Sequence, residues 1–160
     1  MSLADGFKDA LACWCSGVSV VTTRSTDGLM YGLTVSSFSS VSLDPPLVLV
    51  CINNSNRFPA MVEDGGSFAV SILHTGQEEA SNYFARRGRA PTFDFTEIAG
   101  DYTPGGRPIV KGAMAWLGCE LHQAVEAGDH TILIGRVVET HASDGQPLMY
   151  FRRAYRTVTS

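Results

Sequence analysis

The chain has 160 residues, 44% hydrophobic and 18% charged, and carries a formal net charge of −4. That length suits a single domain over 1–160 that buries about 68–70% of its unfolded surface. The acidic balance argues against general nucleic-acid binding, which needs a positive footprint, and no apolar run reaches the ~20 residues that span a bilayer, so no membrane partner is expected.

The start, MSLADGFKDA, has neither the basic nor the apolar region of a signal peptide, and a cytoplasmic setting is expected. There the four cysteines (Cys13, Cys15, Cys51 and Cys119) read as small buried hydrophobes rather than bridges, with Cys15 the candidate reactive thiol. Phe7, Leu11 and Trp14 fall at i, i+4, i+7, one stripe of a short amphipathic helix ended by Gly17. GVSVVTT is β-branched and predicts a strand. Asp27-Gly28 is a hairpin signal, and LMYGLTVSSFSSV returns as the partner strand. Asp44-Pro45-Pro46 breaks the chain before the apolar run LVLVCI. NNSNRF is a polar loop entering a helix around PAMVE, which EDGG closes.

SFAVSIL alternates as a strand, with Phe68, Val70 and Ile72 on one face. Thr75 and Glu78 have capping-box spacing and predict a helix through QEEASNYFARR that stops at Gly88. Residues 90–108 lack periodicity and predict a long loop, of the kind that is usually functional or interfacial. AMAWLGCELHQAV and HTILIGRVVET are long strands joined by Glu126-Ala127-Gly128-Asp129, and PLMYF is a short last strand. About six or seven strands joined by short turns, with three helices between them, predict a mainly β, closed and mostly antiparallel barrel.

Dinucleotide, phosphate-loop, metalloprotease and nucleophile-elbow motifs are absent. His74, His122, His130 and His141 have no metal-site spacing, so no metal is expected. Four features remain. The run Thr34–Ser40 offers hydroxyls and amides to a polar ring edge or a phosphate, or is simply a solvated strand end. Asn53–Arg57 leads into a helix N-terminus suited to an anion, or is ordinary Ser/Asn capping. Arg86, Arg87 and Arg89 sit where cations complement a helix C-terminus. Gly128-Asp129-His130 is a hairpin with a histidine, packed or solvated, or aimed into a cleft.

Together these features resemble the short-chain flavin reductases, the reductase components of two-component flavin-dependent monooxygenases. The resemblance runs through FKDALACWCSGVSVVTT, GLTVSSFSSVSLDPPLVLVCI, AGDHTILIGRV and PLMYFRRAYR, nearly the whole chain. It implies a six-stranded antiparallel split β-barrel of the FMN-binding type, a homodimer with flavin at the subunit interface. Carried over residue by residue, Thr34, Val35, Ser36, Ser37, Phe38 and Ser40 would line the flavin's ring edge and ribityl chain. Cys51, Ile52, Asn53, Ser55, Asn56 and Arg57 match the segment along the ribityl phosphate. Asn82, Phe84, Ala85 and Arg86 match a helix closing over the flavin. His130 matches the G-D-H histidine at the nicotinamide, the one candidate catalytic residue, acting by positioning. Tyr150, Phe151, Arg152 and Arg153 match a border of the nicotinamide nucleotide.

The implied activity is hydride transfer from NADH or NADPH to FMN or FAD, with reduced flavin passed to a partner monooxygenase. Two other readings share the flavin features: a split-barrel oxidase with tightly bound flavin, and a flavin-binding protein without turnover. Neither needs Gly128-Asp129-His130 or Tyr150–Arg153. The Asn-rich phosphate loop leaves FMN against FAD open, and Arg152 and Arg153 leave NADH against NADPH open.

Overall fold

Residues 1–92, 94, 95, 98 and 100–159 are described by the computed structural model, in which the chain begins with α1 (Leu3–Ala12). A capping box starts this helix: the Ser2 hydroxyl accepts from the Asp5 amide at 3.1 Å, and the Asp5 carboxylate accepts from the Ser2 amide at 3.2 Å. The predicted stripe is present but faces outward. Phe7 is 60% exposed, Leu11 55%, and Trp14, just past the helix end, 76%. The helix also stops earlier than expected, at Cys13, and Gly17 belongs to a strand.

Five strands follow, β1 (Ser16–Gly17), β2 (Ser19–Arg24), β3 (Met30–Val35), β4 (Ser39–Leu43) and β5 (Pro46–Asn53), and then α2 (Phe58–Gly65) and β6 (Ser67–Ile72). A 3-10 turn at Thr75–Gln77 leads into α3 (Glu78–Ala85). The chain ends with β7 (Gly100–Tyr102), β8 (Pro108–Val110), β9 (Ala115–Ala127), β10 (His130–Ala142), β11 (Met149–Phe151) and β12 (Ala154–Arg156). No helix among the described residues is long and apolar enough to cross a membrane.

The main sheet is antiparallel, with seven strands in the order β3-β2-β6-β9-β10-β5-β4. The expected six-stranded closed barrel is corrected on two counts. The strand number is seven, and no ladder joins the edge strands β3 and β4 among the described residues. Those edges are nonetheless consecutive in the chain. Only Ser36–Phe38 separate them, a link of roughly 14 Å at full stretch, so the sheet must roll until its edges nearly meet.

The segment LMYGLTVSSFSSV therefore divides between opposite edges instead of forming one strand. The Ser37 hydroxyl accepts from the Cys51 amide at 3.1 Å and donates to the Cys51 carbonyl at 2.9 Å, standing in for a backbone partner at the break. The capping-box prediction is off by one residue. His74 Nδ1 accepts from the Gly76 amide at 3.0 Å and Gln77 Oε1 from the His74 amide at 3.2 Å, so α3 begins at Glu78 and ends at Ala85, before the arginines.

The stretch 90–108 is not all loop: Thr92 bridges Met30, and β7 pairs with β8. Phe93, Thr96, Glu97 and Ala99 of that stretch lie outside the described residues.

β2 is buried on both faces. Val21 packs with Val50, Ile52, Phe58, Phe68, Val70 and Leu133 inside the roll, while Val20 packs with Leu73, Phe84, Val110 and Leu148 outside it. Each such side chain contributes about 1.5–3 kcal/mol. The four thiols are free. Cys119 is buried, which pushes its pKa up to about 12, but Cys13 and Cys15 are exposed, against the expectation for them.

Glu139 on β10 ties the β7–β8 turn to the main sheet. It accepts from the Thr103 hydroxyl, from the Gly105 amide at 3.0 Å and from Arg107 Nη1 at 2.7 Å. Burial works against its charge, yet these donors outweigh burial and hold its carboxyl below the ordinary value. A carboxyl depressed on folding adds stability above its unfolded pKa and loses it as pH falls through the folded one. Glu139→Gln should therefore cost about 1–3 kcal/mol at neutral pH. In urea titrations the gap from the parent should narrow as pH falls below the unfolded glutamate value of about 4.3 and close once pH lies beneath the lower folded value.

Candidate functional site

Strand β10 lies between β5 and β9, and the register sets His130 opposite Asn53 on one side and Ala127 on the other. Gly128 and Asp129 make the two-residue turn before it. Gly128 has φ 64°, the left-handed value that a II′ turn requires at its first central position. His130 Nδ1 lies 2.7 Å from Asp129 Oδ1. That hydrogen bond, and then the charge of the ring, hold the exposed Asp129 carboxyl below its usual pKa. A carboxylate can only accept, so Nδ1 carries a proton, and Nε2 has no protein partner among the described residues.

The neighbouring Asn-rich loop is clamped to this turn. The Asn54 amide donates to the Asp129 carbonyl at 2.8 Å, and the Thr131 hydroxyl to Asn54 Oδ1 at 2.7 Å. Asn53 Oδ1 accepts from the Ser55 amide at 2.8 Å and Asn56 Oδ1 from the Phe58 amide at 2.9 Å. The asparagines are thus occupied in shaping the loop and starting α2. Arg57 lies above the Tyr31 ring, 5.6 Å from its centroid.

These elements enclose a cleft of about 590 Å³ lined by Tyr31, Leu33, Thr34, Asn53, Ser55, Asn56, Arg57 and residues 84–89. Its arginines differ in role. Arg57, at the start of α2, and Arg86 and Arg87, past the end of α3 rather than in its last turn, are exposed. Arg89 is a strut, donating to the Gly32 carbonyl at 2.5 Å and the Phe84 carbonyl at 3.1 Å.

A second chamber of about 200 Å³, lined by Val18, Thr34, Val35, Ser36, Ser81, Ala85, Tyr150 and Tyr155, adjoins it through Thr34 and Ala85. Through Ser36 and Tyr150 this chamber meets a third cleft of about 630 Å³, bounded by Lys8, Trp14, residues 36–39, Tyr150, Arg152 and Arg153. The three form one trough with cations at both ends.

Hydroxyls along its middle are largely committed. Thr34 donates to the Ser81 carbonyl at 2.6 Å, and Ser37 to Cys51. What remains open is the Ser36 hydroxyl and the amides of Ser36, Ser37 and Phe38, which have no protein partner among the described residues.

Of the residues predicted for the site, Thr34–Phe38, Asn53, Ser55–Arg57, Phe84–Arg86, Tyr150, Arg152 and Arg153 line the trough. Outside its lining are Ser40 on exposed β4, Cys51 and Ile52, Asn82, Phe151 and His130, which stands beside the first cleft opposite Asn53. Strand alternation turns Ile52 into the core, where it is 1% exposed. The sequence did not single out Lys8, Tyr31, Leu33, Ser81 or Tyr155, and it placed Trp14 only in the stripe of an amphipathic helix. No local signal marks these residues, because only the rolled sheet brings them to the trough.

Residues 11–159 match the family model described as flavin reductase like domain. The chain is similar to a probable flavin reductase of Rhizobium meliloti, 40% identical over 151 residues, 94% of this chain and 47% of the relative. It thus spans about half of that protein and of the Acinetobacter baylyi trigonelline monooxygenase reductase component. The reductase component of Thermus thermophilus 4-hydroxyphenylacetate 3-monooxygenase is 39% identical over 155 residues, 96% of each chain. Among solved structures, the Streptomyces globisporus NADH:FAD oxidoreductase SgcE6 superposes with a TM-score of 0.92 at 31% identity, over 99% of this chain and 94% of that one.

The Asn54 clamp is open to test by Asn54→Ala, which removes the acceptor of the Thr131 hydroxyl. A stability loss of about 1 kcal/mol is expected, with faster hydrogen exchange at the β9–β10 turn. An unchanged exchange rate there would mean that the Asn54 side chain does not hold the turn, leaving the backbone bond to Asp129 as the clamp.

Proposed function

The chain belongs to the flavin reductase like domain family, and on that premise we propose that it is an NAD(P)H:flavin oxidoreductase. It takes hydride from NADH or NADPH to FMN or FAD and hands the reduced flavin to a partner monooxygenase. The observation that carries this is the trough of three adjoining clefts, cationic at both ends, with amides at Ser36–Phe38 that have no protein partner among the described residues. The relatives agree by name: one is the reductase half of a monooxygenase, another an NADH:FAD oxidoreductase.

The donor set fits a flavin. Arg57, Ser55 and Asn56, with Arg86 from the facing wall, would hold the ribityl phosphate, and Thr34 to Phe38 the polar edge of the ring. When bound, the two nucleotides supply the hydride donor and acceptor, and the protein contributes position and charge. The amides of Ser36, Ser37 and Phe38 meet developing negative charge with dipoles already oriented, at no cost of reorganisation. Asp129 fixes the His130 ring and leaves Nε2 to position the nicotinamide. Tyr150, Arg152 and Arg153 border the same nucleotide. The exposure of Arg57 and Arg86 leaves the phosphate end open to water, as a flavin that must depart requires.

The same proposal makes the active form a homodimer, because α1 presents Leu3, Phe7 and Leu11 uncovered at the surface. It describes the fold as a split barrel, since the rolled sheet stays open between β3 and β4. It places the chain in the cytoplasm, where exposed thiols such as Cys13 and Cys15 stay reduced.

Purified protein mixed with NADH or NADPH and either flavin should consume the reduced nicotinamide absorbance in at least one of the four pairings. Silence in all four would leave a flavin-binding protein without turnover. His130→Ala should raise KM for the nicotinamide nucleotide about tenfold or more, with flavin affinity changed less than about twofold. Parallel loss of both would make His130 structural.

A further inference from the structure

The C-terminal hairpin is built under strain. Phe151 pairs with Ala154, so Arg152 and Arg153 form its two-residue turn, with φ of 49° and 61°. Left-handed backbone at two successive non-glycine residues costs about 1–2 kcal/mol each, and it persists only where the surroundings over-determine it.

Both flanks of this hairpin are pinned. On the α1 side the Arg152 amide donates to the Ala12 carbonyl at 2.9 Å, and Arg153 Nη2 lies 3.0 Å from Asp9 Oδ1. On the α3 side the Tyr155 hydroxyl donates to Asn82 Oδ1 at 2.8 Å and lies 2.6 Å from Ser81 Oγ. A phenol has one proton to give, so the Ser81 hydroxyl is the donor in the shorter contact. Ser81 is fully buried, and its carbonyl receives the Thr34 hydroxyl. The Tyr155 ring meets Tyr150 edge-on at 5.8 Å.

The path Thr34–Ser81–Tyr155–Tyr150 therefore links four residues that line the middle chamber, which adjoins both clefts. Stacked reacting rings must approach to about 3–3.5 Å, and a misplacement of about 1 Å can cost on the order of a hundredfold. We infer that Tyr155 is a positioning residue for hydride transfer: its hydroxyl, held between Ser81 and Asn82, sets Tyr150 against Thr34 and so fixes the gap between nicotinamide and flavin. This rests on the reductase reading.

Tyr155→Phe removes the hydroxyl and keeps the ring. The variant should bind flavin within about twofold of the parent, while kcat/KM for the nicotinamide nucleotide falls about tenfold or more. The long-wavelength charge-transfer absorbance formed on anaerobic mixing of flavin and nicotinamide nucleotide should weaken in step. Ser81→Ala takes away one partner of the Tyr155 hydroxyl but keeps the carbonyl that receives Thr34. It should show the same split, and it carries the test if Tyr155→Phe does not fold. An unchanged charge-transfer band and kcat/KM, or flavin affinity falling equally, overturns the inference while leaving the reductase reading intact. A parent chain that oxidises no nicotinamide nucleotide overturns both.

Discussion

Double pairing of β10 is the constraint on which the site depends. With β9 on one side and β5 on the other, the tight turn of one hairpin and the Asn-rich loop of another must lie side by side. The Asn54–Asp129 and Asn54–Thr131 hydrogen bonds lock that adjacency. Segments more than seventy residues apart in sequence thereby become one wall. Hydrogen bonds across a buried sheet register are hard to slip, since a shift of one residue would turn every core side chain to the wrong face.

A second principle is the division of polar labour. Side chains that look like ligand donors on paper (Thr34, Ser37, Asn53 and Asn56) are mostly engaged in holding backbone in unusual paths. Beside them, the backbone amides of Ser36–Phe38, which line the trough, have no protein partner among the described residues. Rigid amides of this kind stabilise charge better than rotating hydroxyls, because their orientation is settled before a ligand arrives. The strained Arg152-Arg153 turn fits the same pattern, with local cost accepted beside the site and offset by anchors on α1 and α3.

Several elements were legible in the chain. A β-branched run located β2, a continuous apolar run β5 and an alternating run β6; Asp27-Gly28 and Gly128-Asp129 located two hairpins; and Gly66 (φ 71°) ends α2 as the EDGG signal implied. Periodicity also found α1, but not the direction of its apolar face. A stripe at i, i+4, i+7 says that something is covered, not whether the cover is the chain's own core or another surface. The SSFSS segment failed for a different reason. Its β propensity is real on both sides of the break, and only the Ser37–Cys51 contact, set by β5, decides that it divides.

By itself the sequence determined the mainly β class, most element positions and, through the joint order of four short motifs, the family. Local signals suffice there because propensity, turn chemistry and periodicity act within a few residues. Tertiary structure alone decided the seven-strand order, the open edge between β3 and β4, and the trough's membership. Tyr155, Ser81, Trp14 and Lys8 reach the trough only because the sheet rolls and the C-terminal hairpin docks between α1 and α3. Contacts of that kind join residues far apart in sequence, and no short-range pattern encodes them.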